Sequence, residues 1–548
     1  MKKTRSLIFM VVVLAFLVGG FALWQVLGKP GTEIEPTTAP TYQSKDPLVS
    51  LKAEDVARIV LRNDAGTIEL KPVWAQPTPA PTTTATSELP VTGAAKPTPA
   101  PILHWELVSP QLEGLSDAFV DKMGSDLLIL TIVDEIGAKA ASELSQFGLA
   151  EPAATVVYEL NSGAKIEAAL GAKVSASESA RYYAMSKGET DSRVVVVTSV
   201  AEKLQKSALS LLDRNVVNLT VEDLYSFTLQ REGEEFLLSG VSLPVETVGQ
   251  DGSKVTLQDW QMKTPIEWKA NATNITNFLT EVVQLQAEEF FEYSAEKLAS
   301  YGLDKPQYKI TLRSAEGDKV LLIGQAKSSN EAYAMLEGQA QLFSFNRSVL
   351  TQAGIPAIDF YDSFAALVNI TDVGKLTVTL DGEEYLSTIF NPTRAETDAA
   401  KAKGDPEPKP AYTLNGKDAN VINDNDDNLF TRYYQTVIGV TLAGFDPDAS
   451  PKADQAIYTV QYEMRNENPD IQLAYVARDA QTLYLLKNGE YTGFYVDQDK
   501  FTADSNIDSP GVKLAIEILQ AEITAQQTAA TTTAVETSES TGTSRTEN

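Results

Sequence analysis

Apolar and polar residues alternate along three similar stretches of the chain. Each stretch opens with a mainly apolar segment that ends in an acidic residue followed by Val or Leu. An alternating run, a short turn with one glycine and a second alternating run come next. Alternation with a period of two predicts strands, and glycine readily adopts the positive φ angle of a tight turn, so each stretch is predicted to open with a β-hairpin. The opening segments are residues 48–56, 216–224 and, more loosely, 367–373, and the turn glycines are Gly66, Gly233 and Gly382.

A tryptophan and an amphipathic helix follow the hairpin in the first two stretches. Residues 104–110 read HWELVSP and residues 259–265 read DWQMKTP, so Trp105 and Trp260 hold equivalent positions. Apolar residues then recur every three or four positions, which predicts a helix with one apolar face. We expect both indoles to pack in the core beside this helix, and stacking on sugar rings is the alternative. The apolar positions are Val120, Met123, Leu127 and Leu130 in the first stretch, and Ile275, Phe278, Val282 and Leu285 in the second.

The third shared element is an aromatic-Gly-Leu-x-x-Pro turn, which reads FGLAEP from Phe147 and YGLDKP from Tyr301. Glycine before Leu and a nearby Pro indicates a turn that ends a helix rather than a loop that binds phosphate. Two strands are predicted after the turn, and the second of them closes on a glycine. The turn glycines are Gly148 and Gly302, and the closing glycines are Gly171 and Gly324.

The third stretch is degenerate because it lacks the aromatic-Gly-Leu turn. Tyr412 stands near the tryptophan position, and a helix is predicted from Leu429 to Leu442. The fold class is therefore predicted to be α+β, with three tandem repeats built on mainly antiparallel sheets. The predicted strands after this helix lie near residues 458–462, 472–476 and 483–486, and the predicted repeats span residues 47–214, 215–366 and 367–520.

The N-terminus has the pattern of a membrane anchor. Three basic residues precede the uncharged run 6–27, which at about 1.5 Å per residue is long enough to cross a hydrocarbon core of about 30 Å. Basic residues before the span predict a single pass through the plasma membrane, with a cytoplasmic N-terminus and an extracytoplasmic body. A cleaved signal peptide is the alternative, and it would also export the body. We expect residues 1–28 to form the anchor and residues 29–46 a stalk.

Three further segments have compositions that do not favour a packed core. Residues 75–101 are rich in Pro and Thr and interrupt the first repeat as a disordered, extended loop. Residues 394–410 are predicted to be an inserted loop, and residues 521–548 a disordered tail.

Composition narrows the possible chemistry. The 548 residues carry a formal net charge of -29, which disfavours nucleic acid as a partner because nucleic-acid-binding proteins rely on cationic patches. Cations or a basic partner fit better. The chain has no Cys, which excludes disulfides and thiolate chemistry, and its single histidine, His104, excludes a multi-histidine zinc site. We expect His104 to be a polar residue at a strand end rather than a general base, and we expect no catalytic residues and no cofactor.

The densest run of oxygen ligands is residues 423–428, which read NDNDDN. Asp424, Asp426 and Asp427 are candidate ligands for a hard cation such as Ca²⁺, although the run lacks the glycine and the terminal Glu of an EF-hand. The competing interpretation is that one residue of the run caps the helix predicted from Leu429, because a helix N-terminus favours negative charge.

The tryptophan element, the amphipathic helix, the aromatic-Gly-Leu-x-x-Pro turn and the glycine-closed strand pair together resemble the bacterial domain-of-unknown-function family 4340. The resemblance covers about residues 47–390 well and 391–520 weakly. Proteins similar to this family are typically anchored at their N-terminus, and their genes often lie beside those of ABC transporters of the ABC-2 or gliding-motility type. The resemblance thus implies a transport-accessory role and supplies no catalytic residues.

These observations favour a non-catalytic, extracytoplasmic binding or scaffolding protein, with the membrane as one partner through residues 6–27 and a transporter permease as another. The ligand is left open. An enzyme that processes envelope polymers, a carbohydrate-binding protein and a structural envelope protein are the alternatives. Glycosidases need only two carboxylates, but the repeat pattern singles out no such pair.

Overall fold

A computed structural model describes residues 47–76, 101–174, 181–187, 192–197, 200–248, 254–339, 341–423, 426–465, 467–504 and 510–542. The predicted anchor, the predicted stalk and most of the predicted loop 75–101 lie outside these ranges. None of the described helices is both long enough and apolar enough to span a membrane. The chain forms two compact units, Met1–Leu212 and Asp213–Asn548, and each is described by itself.

The first unit contains one large sheet. Its strands run in the order β4-β3-β2-β7-β8-β9-β10-β6, every neighbouring pair is antiparallel, and β1 pairs separately with β5. Its helices are α1 (Asp117–Leu127) and α2 (Val200–Lys203), and its strands are β1 (Val49–Ser50), β2 (Val56–Asn63), β3 (Gly66–Ala75), β4 (Ile102–Ser109), β5 (Ile129–Leu130), β6 (Ile132–Lys139), β7 (Ala154–Leu160), β8 (Lys165–Lys173), β9 (Tyr182–Lys187) and β10 (Ser192–Val197).

The second unit contains two nine-stranded antiparallel sheets. The helices of this unit are α3 (Ala272–Val283), α4 (Arg394–Lys403), α5 (Leu429–Ile438), α6 (Asp499–Thr502) and α7 (Val512–Gly542). The strands of the second sheet are β11 (Leu224–Arg231), β12 (Leu237–Val248), β13 (Lys254–Thr264), β14 (Trp268–Lys269), β15 (Glu289–Phe291), β16 (Tyr308–Ser314), β17 (Gly317–Ala326), β18 (Glu331–Leu336) and β19 (Leu342–Asn346). The strands of the third sheet are β20 (Val373–Leu380), β21 (Glu383–Phe390), β22 (Ala411–Leu414), β23 (Lys417–Asp418), β24 (Leu442–Phe445), β25 (Ala456–Met464), β26 (Ile471–Ala477), β27 (Thr482–Lys487) and β28 (Glu490–Asp497).

The three large sheets share one strand order. The second runs β14-β13-β12-β11-β16-β17-β18-β19-β15, the third runs β23-β22-β21-β20-β25-β26-β27-β28-β24, and the first differs only by lacking the short outermost strand. The register makes the equivalences residue-specific, because Ile59, Phe227 and Leu376 hold the same place in their sheets and pair with Tyr158, Leu312 and Tyr462. The predicted antiparallel sheets are therefore present, and the pattern that predicted them reflects one repeated topology.

One helix packs on the same face of each sheet. The predicted apolar stripe is buried in α1, where Val120, Met123 and Leu127 contribute to the core, and its counterpart is buried in α3. The helix of the third sheet, α5, is shorter than predicted because it ends at Ile438. Within the second unit, the cores under α3 and α5 merge into one hydrophobic cluster.

The opposite face of the first two sheets carries a short 3₁₀ segment that we call the lid, Ala141–Phe147 in the first and Ala295–Tyr301 in the second. Each lid ends at a left-handed glycine, which confirms the predicted turn. The backbone of each lid lies against the closing glycine of the sheet. A Cβ atom added to Gly171 would lie 2.2 Å from the Phe147 carbonyl oxygen, and a Cβ atom added to Gly324 would lie 2.1 Å from the Tyr301 carbonyl oxygen. The equivalent residue of the third sheet is Val476, and no lid of this kind forms there in the described residues.

Two predicted segments differ from the structure. The predicted loop 394–410 contains α4, whose N-terminus is a capping box in which Thr393 and Glu396 exchange hydrogen bonds and whose C-cap is the left-handed Gly404. The tail predicted from residue 521 begins too early, because Ile523 is buried in the core of the third sheet and α7 continues to Gly542.

We predict that Gly324→Ala destabilises the second unit by about 1–3 kcal/mol, the usual cost of forcing extra volume into a packed site. The new methyl group would collide with the Tyr301 backbone oxygen, which cannot move without displacing the lid. Gly374→Ala is the matched control, because its Cβ would meet its nearest neighbours at 3.6 Å, an ordinary contact. The free energy of unfolding of both variants is measured by urea denaturation. An equal decrease in the two variants would contradict the close approach of the Tyr301 backbone to Gly324.

We also predict opposite outcomes for two tyrosines at one register position. The Tyr158 hydroxyl donates a hydrogen bond to the Leu127 carbonyl oxygen at 2.7 Å, whereas the Tyr462 hydroxyl is buried without a partner in the described residues. Tyr158→Phe should therefore cost about 1 kcal/mol, and Tyr462→Phe should be neutral or stabilising, because it removes a buried unpaired polar group. Thermal and urea unfolding would test this pair, and a larger loss at Tyr462 than at Tyr158 would show that its hydroxyl is satisfied in solution.

Candidate binding surface

In the first two sheets the second strand of the opening hairpin pairs with the strand that follows it, and this second hairpin continues as a ribbon beyond the body of the sheet. In the second sheet, β12 pairs with β11 only from Leu237 to Val241, but its pairing with β13 runs on to Val248 and Lys254. Residues 242–248 and 254–259 therefore form a two-stranded ribbon, which we call the second ribbon. Likewise β3 and β4 of the first sheet remain paired as far as Ala75 and Ile102.

One register position on these hairpins is occupied by an exposed apolar residue in all three sheets. Val73 faces His104, Leu243 faces Asp259 and Phe390 faces Ala411, and in each case the facing residue directly precedes the aromatic residue of the next strand. The exposed fractions of the three apolar residues are 37%, 43% and 37%. We call this place the ribbon position. Its repetition on three independent hairpins distinguishes it from the scattered exposed apolar residues that any surface carries.

The exposure of this position follows from the buried aromatic residues beside it. Trp105 and Trp260 are 5% and 3% exposed, so the interpretation of both indoles as core residues is confirmed. Tyr412 occupies the same register position in the third sheet, where it pairs with Ile389 and is 4% exposed. Adjacent strand positions point to opposite faces, so Val73, Leu243 and Phe390 extend from the face away from the helix.

The hairpin of the first sheet carries further exposed apolar residues and one histidine. Trp74 and Ile102 are 48% and 51% exposed near the end of the same hairpin. His104 places its Nδ1 atom 3.0 Å from Asp121 Oδ2, and the other oxygen of this carboxylate accepts the Trp105 backbone N–H at 2.6 Å. Asp121 thus fixes both the histidine and a backbone donor on the outer edge of β4, which agrees with a structural role for His104.

The ribbon position of the third sheet is held under an arginine. The Arg465 guanidinium carbon lies 4.9 Å from the centre of the Phe390 ring, a distance typical of a cation–π contact. Arg465 also donates to the Asn391 carbonyl oxygen at 2.9 Å and to Glu396 Oε1 at 2.6 Å. The helix α4 has no buried residue, so the contact between Glu396 in its first turn and Arg465 holds the helix against the sheet.

The acidic run that was a candidate cation site is only partly described. Asp424 lies outside the described residues, Asp426 adopts a left-handed backbone conformation, and Asp427 lies 3.9 Å from Arg432. Asn428 caps α5, because its Oδ1 atom accepts the Thr431 backbone N–H at 3.0 Å, so the predicted cap in this run is confirmed. Among the residues that the structure describes, no group of three or more acidic or histidine side chains could hold a metal ion.

We predict that acid releases α4 from the Phe390 site. The pKa of Glu396 is lowered, first by the hydrogen bond from the Thr393 backbone N–H and then by the Thr393 hydroxyl and Arg465. Its stabilising contribution is therefore present above the unfolded pKa of about 4.3 and is lost as the pH falls through the lower folded pKa. Hydrogen exchange of the α4 amides, relative to those of α5, should accelerate in that range.

The variant Glu396→Gln should show fast exchange in α4 already at neutral pH and lose the acid transition. Asp398→Asn is the matched control, because Asp398 lies in the same helix and makes only an exposed pair with Arg394 at 3.8 Å. Equal exchange in the two variants would mean that Glu396 does not anchor the helix.

Comparison with known proteins gives one family match. The model of a domain of unknown function, DUF4340, matches residues 105–254 and 260–425, which together make up more than half of the chain. Neither the curated proteins nor the solved structures include a match. The two matched segments start at Trp105 and Trp260, the equivalent core residues that set the register of the ribbon position. The chain therefore belongs to the DUF4340 family.

Proposed function

We propose that this protein is a non-catalytic binding or scaffolding subunit that attaches to a partner through its ribbon positions. The observation that carries the proposal is the recurrence of an exposed apolar residue at Val73, Leu243 and Phe390, one in each sheet. Insertions in repeat proteins tend to map to one face of the repeat, which is often the binding face. The long connections of the first and third repeats both lie at this place, between β3 and β4 and between β21 and β22.

We further propose that the subunit is held at the plasma membrane by residues 6–27, with its body outside the cytoplasm, and that its partner is an ABC-type transporter. The basic residues before the uncharged run support this orientation. The net charge of -29 supports a partner with a basic surface. The transporter itself is suggested by the genomic setting of proteins that resemble this family, and an apolar patch on an anchored protein suits attachment to another membrane protein.

Purification of the full chain from membranes in mild detergent tests this proposal. We expect an ATPase and a permease subunit to co-purify with the chain. The combined variant Val73→Ser, Leu243→Ser, Phe390→Ser should reduce their recovery about tenfold or more, because truncation of central apolar anchors commonly costs more than 1 kcal/mol each.

The matched control combines Ile129→Ser, Val349→Ser and Ile457→Ser, which are 53%, 43% and 39% exposed and lie away from the ribbon positions, one in each repeat. Its recovery of partner subunits should equal that of the wild type. Equal losses in the two combined variants would argue against the ribbon positions, and recovery of no transporter subunit by the wild-type chain would argue against the proposed function as a whole.

A further inference from the structure

The second ribbon has one apolar face and one polar face. In its first strand Leu243 and Val245 alternate with Ser242, Pro244 and Glu246, so the two apolar residues share the face that points away from Trp260 and α3. Such alternation is typical of a sheet with one face buried. Yet Leu243 and Val245 are each 43% exposed within the second unit. The sequence has the pattern of a strand with one buried face, but the apolar residues of that face are exposed. This difference indicates that another surface covers the face.

A carboxylate lies on the same face of the ribbon. Asp259 is directly opposite Leu243, and its Oδ1 atom accepts the backbone N–H of Trp260 at 2.9 Å. The structure gives Asp259 no ion pair among the described residues, whereas Glu246 on the other face pairs with Lys254 at 3.4 Å. An apolar pair beside an unpaired carboxylate is complementary to apolar side chains that flank a lysine or arginine.

We infer that the apolar face of the second ribbon docks on a partner protein that presents an apolar patch beside a basic side chain, with that side chain pairing with Asp259. This inference rests on the proposed function and names the chemistry of the partner at one of its contact sites. A lysine or arginine placed there would gain both the Asp259 carboxylate and the field of a chain that carries a net charge of -29.

Two other occupants fit the ribbon less well. A lipid surface with anionic headgroups would be repelled by Asp259 and Glu246, the two acidic residues of the described ribbon. A second copy of the chain, docked about a twofold axis, would place like carboxylates near one another and bring two strongly acidic molecules together.

A photo-crosslinking residue at position 245 of the full chain, used in intact membranes, tests the inference. We expect a covalent adduct with a protein, and we expect the crosslinked peptide to contain apolar residues and a Lys or Arg.

The yield of this adduct should fall about tenfold or more with Leu243→Ser, because the central apolar contact is lost. Asp259→Lys should lower the yield further than Asp259→Asn, since charge reversal adds repulsion to the loss of the pair. Val349→Ser, equally exposed on the same unit, should leave the yield unchanged.

The other outcomes overturn the inference in distinguishable ways. An adduct with lipid, with a second copy of the chain, or with a peptide that has no basic residue would assign the ribbon another occupant. An Asp259→Lys yield equal to that of the wild type would remove the role of the carboxylate. Absence of an adduct at position 245, while transporter subunits still co-purify with the chain, would overturn the docking of this ribbon and leave the proposed function standing. Failure of the proposed function is recognised separately, because no transporter subunit would then co-purify.

Discussion

Each repeat buries one aromatic side chain on the strand that follows its opening hairpin. The contact is made differently in each copy. Trp105 lies so close to Gly124 of α1 that a Cβ atom there would be 2.1 Å from the indole, Trp260 lies with its ring centre 5.7 Å from that of Phe227, and Tyr412 stacks on Phe430 at 4.5 Å with an interplanar angle of 7°. What stays fixed is the register position rather than the residue type. Since strand side chains alternate between faces, burial at this position places its neighbour on the solvent face, and the ribbon position is the direct consequence.

The third sheet lacks the glycine against which the lid packs in the first two sheets. Val476 replaces the glycine that admits the lid backbone in the first two sheets, and a different arrangement covers the small apolar cluster of Ala474, Val476 and Leu486. Arg478 lies 4.3 Å from the Tyr495 ring centre and 3.8 Å from Asp446, which also accepts a hydrogen bond from Tyr484. The strand order of the third sheet is the same as in the first two, although different side chains cover this face. The repeat is therefore defined by its strand pairing and its helix rather than by the lid.

Much of this architecture can be predicted from local patterns, because the period-two and helical stripes are long and the glycines mark backbone constraints. Trp260, Gly148 and Gly171 are examples in which the residue type alone indicates the environment that the structure shows. The inserted helix α4 was missed although its Thr393–Glu396 capping box and Gly404 are standard boundary signals, because its surroundings are rich in Pro and charge and it has no apolar stripe. The ribbon position was missed for another reason. The alternation of Leu243 and Val245 with their neighbours is visible in the sequence, but only the structure shows that the second unit leaves both residues exposed.

The boundaries of the family match bear on how the surface is organised. The first matched segment begins in β4 and ends at the start of β13, and the second begins at Trp260 within β13, so residues 255–259 fall between them. A family unit therefore does not correspond to one sheet, since each unit supplies the helix and later strands of one sheet together with the opening hairpin of the next. The gap falls within the second strand of the second ribbon, and the residue that faces the ribbon position differs in all three copies, being His104, Asp259 and Ala411. The shared scaffold thus fixes the position of the exposed apolar residue, while the residue that faces it differs in chemistry from copy to copy. Under the proposed function, each repeat would therefore offer a partner the same apolar contact beside a different neighbouring side chain.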